Sequence, residues 1–106
     1  AYVLLADGAV RNAYTVKLMN RSARARDLRL TVAGINAREI EVIGDGLMKP
    51  SVTLSVDADR IRTLRILVTV AKEQLATSAK LDFILEDIPS TERRRAAEVF
   101  VSGDAR

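Results

Sequence analysis

The chain predicts an all-β fold, an antiparallel β-sandwich of seven to eight strands. Two observations carry that prediction. Apolar residues recur at every second position in run after run, and turn-forming residues punctuate the gaps. At 106 residues with 48% hydrophobic content, the chain suits a single domain over residues 1–106, with enough burial for one core and no need of a covalent staple.

Residues 2–6 open the set as a short apolar strand. The alternating runs follow as Tyr14/Val16/Leu18, Leu28/Leu30/Val32, Ile40/Val42, Val52/Leu54/Val56, Leu64/Ile66/Val68/Val70 and Leu81/Phe83/Leu85. Each run has one apolar face, and the intervening Thr15/Lys17, Arg29/Thr31, Glu39/Glu41, Arg65 and Asp82 form a solvated one. Such two-faced strands belong to antiparallel sheets. A last strand is expected on Ala97/Val99/Val101, with Phe100 turned to the opposite face.

Turns are expected at Asp7-Gly8, Asn20-Arg21-Ser22, Gly34, Gly44-Asp45-Gly46, Pro50, Asp57-Ala58-Asp59 and Ile88-Pro89-Ser90-Thr91, a spacing typical of sandwiches. Segment 91–98 also contains good helix formers behind Ser90, so a helical turn competes there. Residues 21–26 read as a mobile loop and residues 102–106 as a tail.

Composition narrows the chemistry. Cysteine and histidine are both absent, which removes disulfides, thiolate metal sites and the usual nucleophile–base pairs. Catalysis by this domain is not expected, and no catalytic, cofactor-binding or metal residue is assigned. The i, i+2 acids Glu39/Glu41 and Asp57/Asp59 read as a solvated face and a turn. Met19, on the outward parity of its strand, and Met48, in a loop, are the only soft donors.

Net charge is only +3, from 17 basic and 14 acidic residues, which does not require a polyanionic partner. Nucleic acid is not expected, because the few aromatics lie mostly on core faces and not on a stacking platform. The longest apolar runs, of about six residues, fall far short of the roughly 20 that a membrane-spanning helix needs. Arginines nevertheless cluster at Arg21/Arg24/Arg26/Arg29, Arg60/Arg62/Arg65 and Arg93/Arg94/Arg95. The first and last of these clusters form a candidate interaction surface if their loops share one end of the sandwich.

Segment 7–21 combines a turn, an alternating strand and a terminal Asn. Gly8 supplies positive φ and Asp7 closes the turn with its side chain, while the amides of Asn12 and Asn20 can satisfy backbone groups at the strand ends. Asp7-Gly8, Val10-Arg11-Asn12, Tyr14, Lys17-Leu18 and Asn20-Arg21 resemble the segment that opens the C-terminal domain of FixG-type proteins, the cytochrome c oxidase accessory family. Asp7, Gly8, Arg11, Asn12, Tyr14 and Asn20 are thereby the family-signature positions. The family's Gly-Pro close is absent, Gly103 being followed by Asp104.

The resemblance implies an immunoglobulin-like domain, the C-terminal piece of a longer bacterial inner-membrane protein, on its periplasmic face. It implies a parent oxidoreductase carrying iron–sulfur clusters outside this chain, which assists cytochrome oxidase assembly and is linked to copper reduction. The expected role is then a non-catalytic docking or stabilising domain for a protein partner in oxidase assembly. Two alternatives stay open, a copper or small-ligand binding module and an adhesion or carbohydrate-binding module. Oligomeric state is not legible from the residues.

Overall fold

The computed structural model describes residues 2–44, 46–47, 51–75 and 78–102. Their strands are β1 (Tyr2–Leu4), β2 (Val10–Asn20), β3 (Arg26–Ala33), β4 (Glu39–Val42), β5 (Gly46–Leu47), β6 (Ser51–Val56), β7 (Arg60–Val70), β8 (Ser78–Asp87) and β9 (Arg93–Val101), with one 3-10 turn at Lys72–Gln74. They form two antiparallel sheets, ordered β1-β2-β7-β4-β5 and β6-β3-β8-β9. The expected all-β sandwich is what forms, and the two-residue β5 is the one strand beyond the expected set. None of the described helices is long and apolar enough to cross a membrane.

The alternation places the core. Leu18, Leu28, Leu30, Leu54, Val56, Leu64, Ile66, Val68, Leu81 and Phe83 are all buried between the sheets. Tyr14 is half-buried and meets Phe83 edge to face, with ring centroids 5.4 Å apart and planes at 70°. That geometry sets a positive ring edge against a negative ring face across the sandwich.

Three positions depart from the pattern. In β9 the inward anchor is Phe100, at 3% exposure, whereas Val99 and Val101 remain on the surface. The competing helical turn at 91–98 does not form; β9 begins at Arg93 because pairing with β8 satisfies its backbone from Glu86↔Arg93 to Ser78↔Val101. Thr69 is buried on the outer face of β7, where the Arg11 Nε–H donates to its Oγ1 at 3.2 Å. The Asp45 turn residue, the Met48–Pro50 loop positions and residues 103–106 of the expected tail, including Gly103 and Asp104, lie outside the described residues, whereas Ser102, the first residue of that tail, is buried at 5% exposure.

Candidate interaction surface

The turn before β2 has the expected geometry. Gly8 has φ +88°, and the Ala9 N–H donates to Asp7 Oδ1 at 3.1 Å. Arg38 donates to the other Asp7 oxygen at 2.7 Å, and this bond, with the Ala9 amide, holds the carboxyl below its usual pKa.

Asn12 and Asn20 stitch the two sheets together from opposite ends of β2. Asn12 Nδ2 donates to the Val101 carbonyl at 2.8 Å, while the Val101 N–H donates to Asn12 Oδ1 at 2.9 Å. The side-chain amide thus imitates a neighbouring strand for β9. Tyr14 extends the contact, its hydroxyl donating to the Val99 carbonyl at 2.9 Å. Burial, with the Glu98 charge in addition, pushes the Tyr14 phenol up to about 12. At the far end, Asn20 Nδ2 donates to the carbonyls of Arg24, Val56 and Asp57 at 2.8–3.1 Å. Its Oδ1 accepts from the Ser22 N–H and hydroxyl, which orders the β2–β3 loop from within.

Cross-strand register brings part of the arginine set together. Arg29, Glu86 and Arg93 are successive partners across β3, β8 and β9, with Arg29 2.8 Å and Arg93 3.6 Å from the Glu86 carboxylate. Arg26 reaches Asp87 at 3.3 Å, Arg95 reaches Asp82 at 3.0 Å and Arg94 lies 3.6 Å from Glu92. The Ser90 hydroxyl, with Arg26, holds the Asp87 carboxyl below its usual pKa. Arg94 has inward parity, opposite Leu85; the pairs on Glu86 and Asp82 make the outer face of this sheet a row of alternating charges and not a uniformly basic patch. Arg21 and Arg24 stand exposed in the β2–β3 loop, and Arg24 lines a depression of about 510 Å³ together with Arg26, Asp27 and Asp87. Arg60, Arg62 and Arg65 lie on β7 in the other sheet, where Arg65 donates to Thr15 Oγ1 and Arg62 to the Ser55 carbonyl.

Sequence reasoning missed the seam between β2 and β9. In β7, Thr69 and Arg65 give their carbonyls to the Arg38 and Ile43 amides, so the even-numbered residues of β7 face β2. In register, Ala13, Thr15, Lys17 and Met19 turn their backbone groups to the opposite edge of β2, which β1 covers only at Val10, Arg11 and Asn12. Past Tyr14, no hydrogen bond joins described residues of β2 and β9. The two edges part over a groove of about 160 Å³ whose floor is Val16, Leu18, Leu30, Phe83 and Leu85. Lys17, Arg94, Arg95 and Ala96 rim it, and no carboxylate lines it. The signal in the sequence was the parity of segment 94–98, where Arg94, Ala96 and Glu98 occupy inward positions too small or too polar to close a core.

As for metals, the described residues contain no group of three or more His, Cys, Asp or Glu side chains placed to hold an ion. Met19 is exposed on the outer face of β2, opposite Ile61, and Met48 is outside the described residues. An iron–sulfur cluster does not fit this chain, which has no cysteine to ligate it.

Two packed antiparallel sheets are the architecture of immunoglobulin-like domains. The chain belongs to the family described as "IG-like fold at C-terminal of FixG, putative oxidoreductase", whose model matches residues 1–103. It is 33% identical over 97 residues to the nitrogen fixation protein FixG of Rhizobium meliloti strain 1021, covering 88% of this chain and 18% of that protein. Identity to protein RdxB of Cereibacter sphaeroides is 28% over 102 residues, covering 93% of this chain and 20% of the relative. The chain therefore spans about a fifth of the length of these relatives. The crystal structure of a FixG-related protein from Vibrio parahaemolyticus superposes with a TM-score of 0.72 at 22% identity, over 89% of this chain and 80% of the other, a likeness of fold.

Proposed function

We infer that the domain is a non-catalytic docking or stabilising module of a FixG-like membrane iron–sulfur oxidoreductase, on the periplasmic face of a bacterial inner membrane. There it holds a protein partner during cytochrome oxidase assembly and the associated copper reduction. Family membership over residues 1–103 carries the reading. The open β2–β9 seam supports it, because an unpaired strand edge offers a protein partner backbone hydrogen bonds that a closed sandwich withholds. In this reading the iron–sulfur chemistry belongs to the rest of the parent protein.

Deleting the domain from the parent in cells, and measuring haem–copper oxidase assembly, tests the role. Loss of assembled oxidase with the membrane-embedded parent still present at normal level is the expected result. Unimpaired assembly would remove the docking reading.

A further inference from the structure

Resting on that docking role, we propose that the edge of β9 at Arg93, Arg95 and Ala97 is the docking site. Its occupant is an extended segment of the partner protein in which apolar residues alternate with carboxylates.

Geometry comes first. The Asp87 N–H donates to the Glu92 carbonyl at 2.8 Å, and pairing runs unbroken from Glu86↔Arg93 to Ser78↔Val101. Arg94, Ala96 and Glu98 therefore turn their backbone groups toward β8, while Arg93, Arg95 and Ala97 turn theirs away from it. Val99 and Val101, next along the same edge, are already engaged by Tyr14 and Asn12. These side chains occupy one end of the edge as an added strand would, and stop where the groove begins.

The groove selects the occupant. A strand paired to β9 alternates its side chains between the two sides of the sheet. Its inward residues come to lie over Val16 and Leu85, which are half-buried and apolar. Its outward residues stand beside Arg93 and Arg95, whose side chains are 70% and 64% exposed despite their ion pairs. Lys17 and Arg94 add positive charge at the rim; no carboxylate lines the groove, and Glu92 meets Arg94 from outside it at 3.6 Å. A second copy of this chain is a poor occupant, because antiparallel pairing of two β9 edges sets arginines against arginines. Like charges directly opposite each other destabilise a strand pair.

The test uses the 106-residue chain and a Pro-flanked peptide of alternating Glu and Val, with a control carrying Lys in place of Glu. Amide exchange by NMR is expected to slow at Arg93, Arg95 and Ala97 with the Glu peptide, and to stay unchanged with the Lys peptide. Ala97→Pro deletes an N–H that β8 does not use, and weakens binding roughly tenfold, the loss expected for one or two backbone hydrogen bonds. The pair R93E/R95E keeps the backbone edge and inverts the preference toward the Lys peptide. Equal binding of both peptides, protection confined to other strands, or no protection at all would overturn the proposal. So would concentration-dependent protection of these amides without peptide, which marks a second copy as the occupant. In the parent protein, normal oxidase assembly with Ala97→Pro but not with the whole-domain deletion rejects this edge and leaves the docking reading standing.

Discussion

Asn12 and Val101 exchange two hydrogen bonds, 2.8 Å and 2.9 Å, between strands that belong to different sheets. Their separation of 89 residues makes this amide a clasp between the beginning and the end of the fold. Asn12 is 4% exposed, so water cannot readily replace it. Asn12→Ala leaves the Val101 N–H and C=O without their partner and is expected to cost about 2 kcal/mol in urea denaturation. Faster amide exchange at Val101, with the β2–β7 ladder unchanged, identifies the loss as the clasp. An unchanged stability would show that the β8–β9 ladder alone holds the strand.

Asn20 answers a different electrostatic demand. Its two amide hydrogens serve three carbonyls, so the site needs donors at Nδ2 and acceptors at Oδ1. Asn20→Asp turns lone pairs toward those carbonyls and is expected to destabilise the domain more than Asn20→Ala at neutral pH. The introduced carboxyl keeps the Ser22 donors in either form, but only its protonated form can donate to a carbonyl, and burial against three carbonyl dipoles raises its folded pKa above the unfolded one. Relative to the parent chain, the deficit of the variant is smallest below the unfolded Asp pKa of about 3.9 and grows as pH rises through the folded value. Urea midpoints of both variants at acid and neutral pH check the ordering.

Tyr14 predicts an alkaline limit. Its phenol ionises at about 12 in the folded chain and near 10 when unfolded, so the protonated form is the one that folding favours. Its contribution is complete below pH 10 and is lost as pH rises from there through about 12. In a Tyr2→Phe background, absorbance titration should report one phenol at about 12. Tyr14→Phe should flatten the alkaline loss of stability. A phenol titrating near 10 would refute the burial argument.

Two glycines separate backbone strain from crowding. Gly8 and Gly34 both have positive φ, +88° and +87°. A Cβ at Gly8 meets the Lys72 side chain at 2.7 Å, a flexible neighbour that can withdraw. At Gly34 it meets the Lys80 backbone carbonyl at 3.3 Å, held in the sheet. Gly8→Ala is expected to cost about 1 kcal/mol and Gly34→Ala more, measured by thermal or urea unfolding. Adding Lys72→Ala to Gly8→Ala should leave the backbone part of the cost in place.

Much of the fold was legible because a half-buried strand imposes a period of two. Tyr14/Val16/Leu18 and Leu81/Phe83/Leu85 announce their inward faces without any tertiary information. The Asp7-Gly8 turn was equally readable, since positive φ and an Asx hydrogen bond are local demands. β9 was harder. Ala97, Val99 and Val101 carry an apolar alternation, yet Phe100 is the anchor, because a sheet edge can leave small β-branched residues in water when the opposite parity carries the larger ring.

The candidate site depended on distances of sequence that no local pattern spans. The arginine clusters were visible as composition, but only strand register set Arg29, Glu86 and Arg93 in one row and so balanced their charges. By itself the sequence determined the strands, the turns, the absence of cysteine and histidine chemistry and the resemblance of segment 7–21 to its family. Tertiary structure decided that Asn12, Tyr14 and Asn20 fasten one sheet to the other, and that the β2–β9 seam stays open beyond them. The reason is physical: alternation and turn chemistry are encoded in neighbours, whereas which strand edge goes unpaired depends on how the sheets pack.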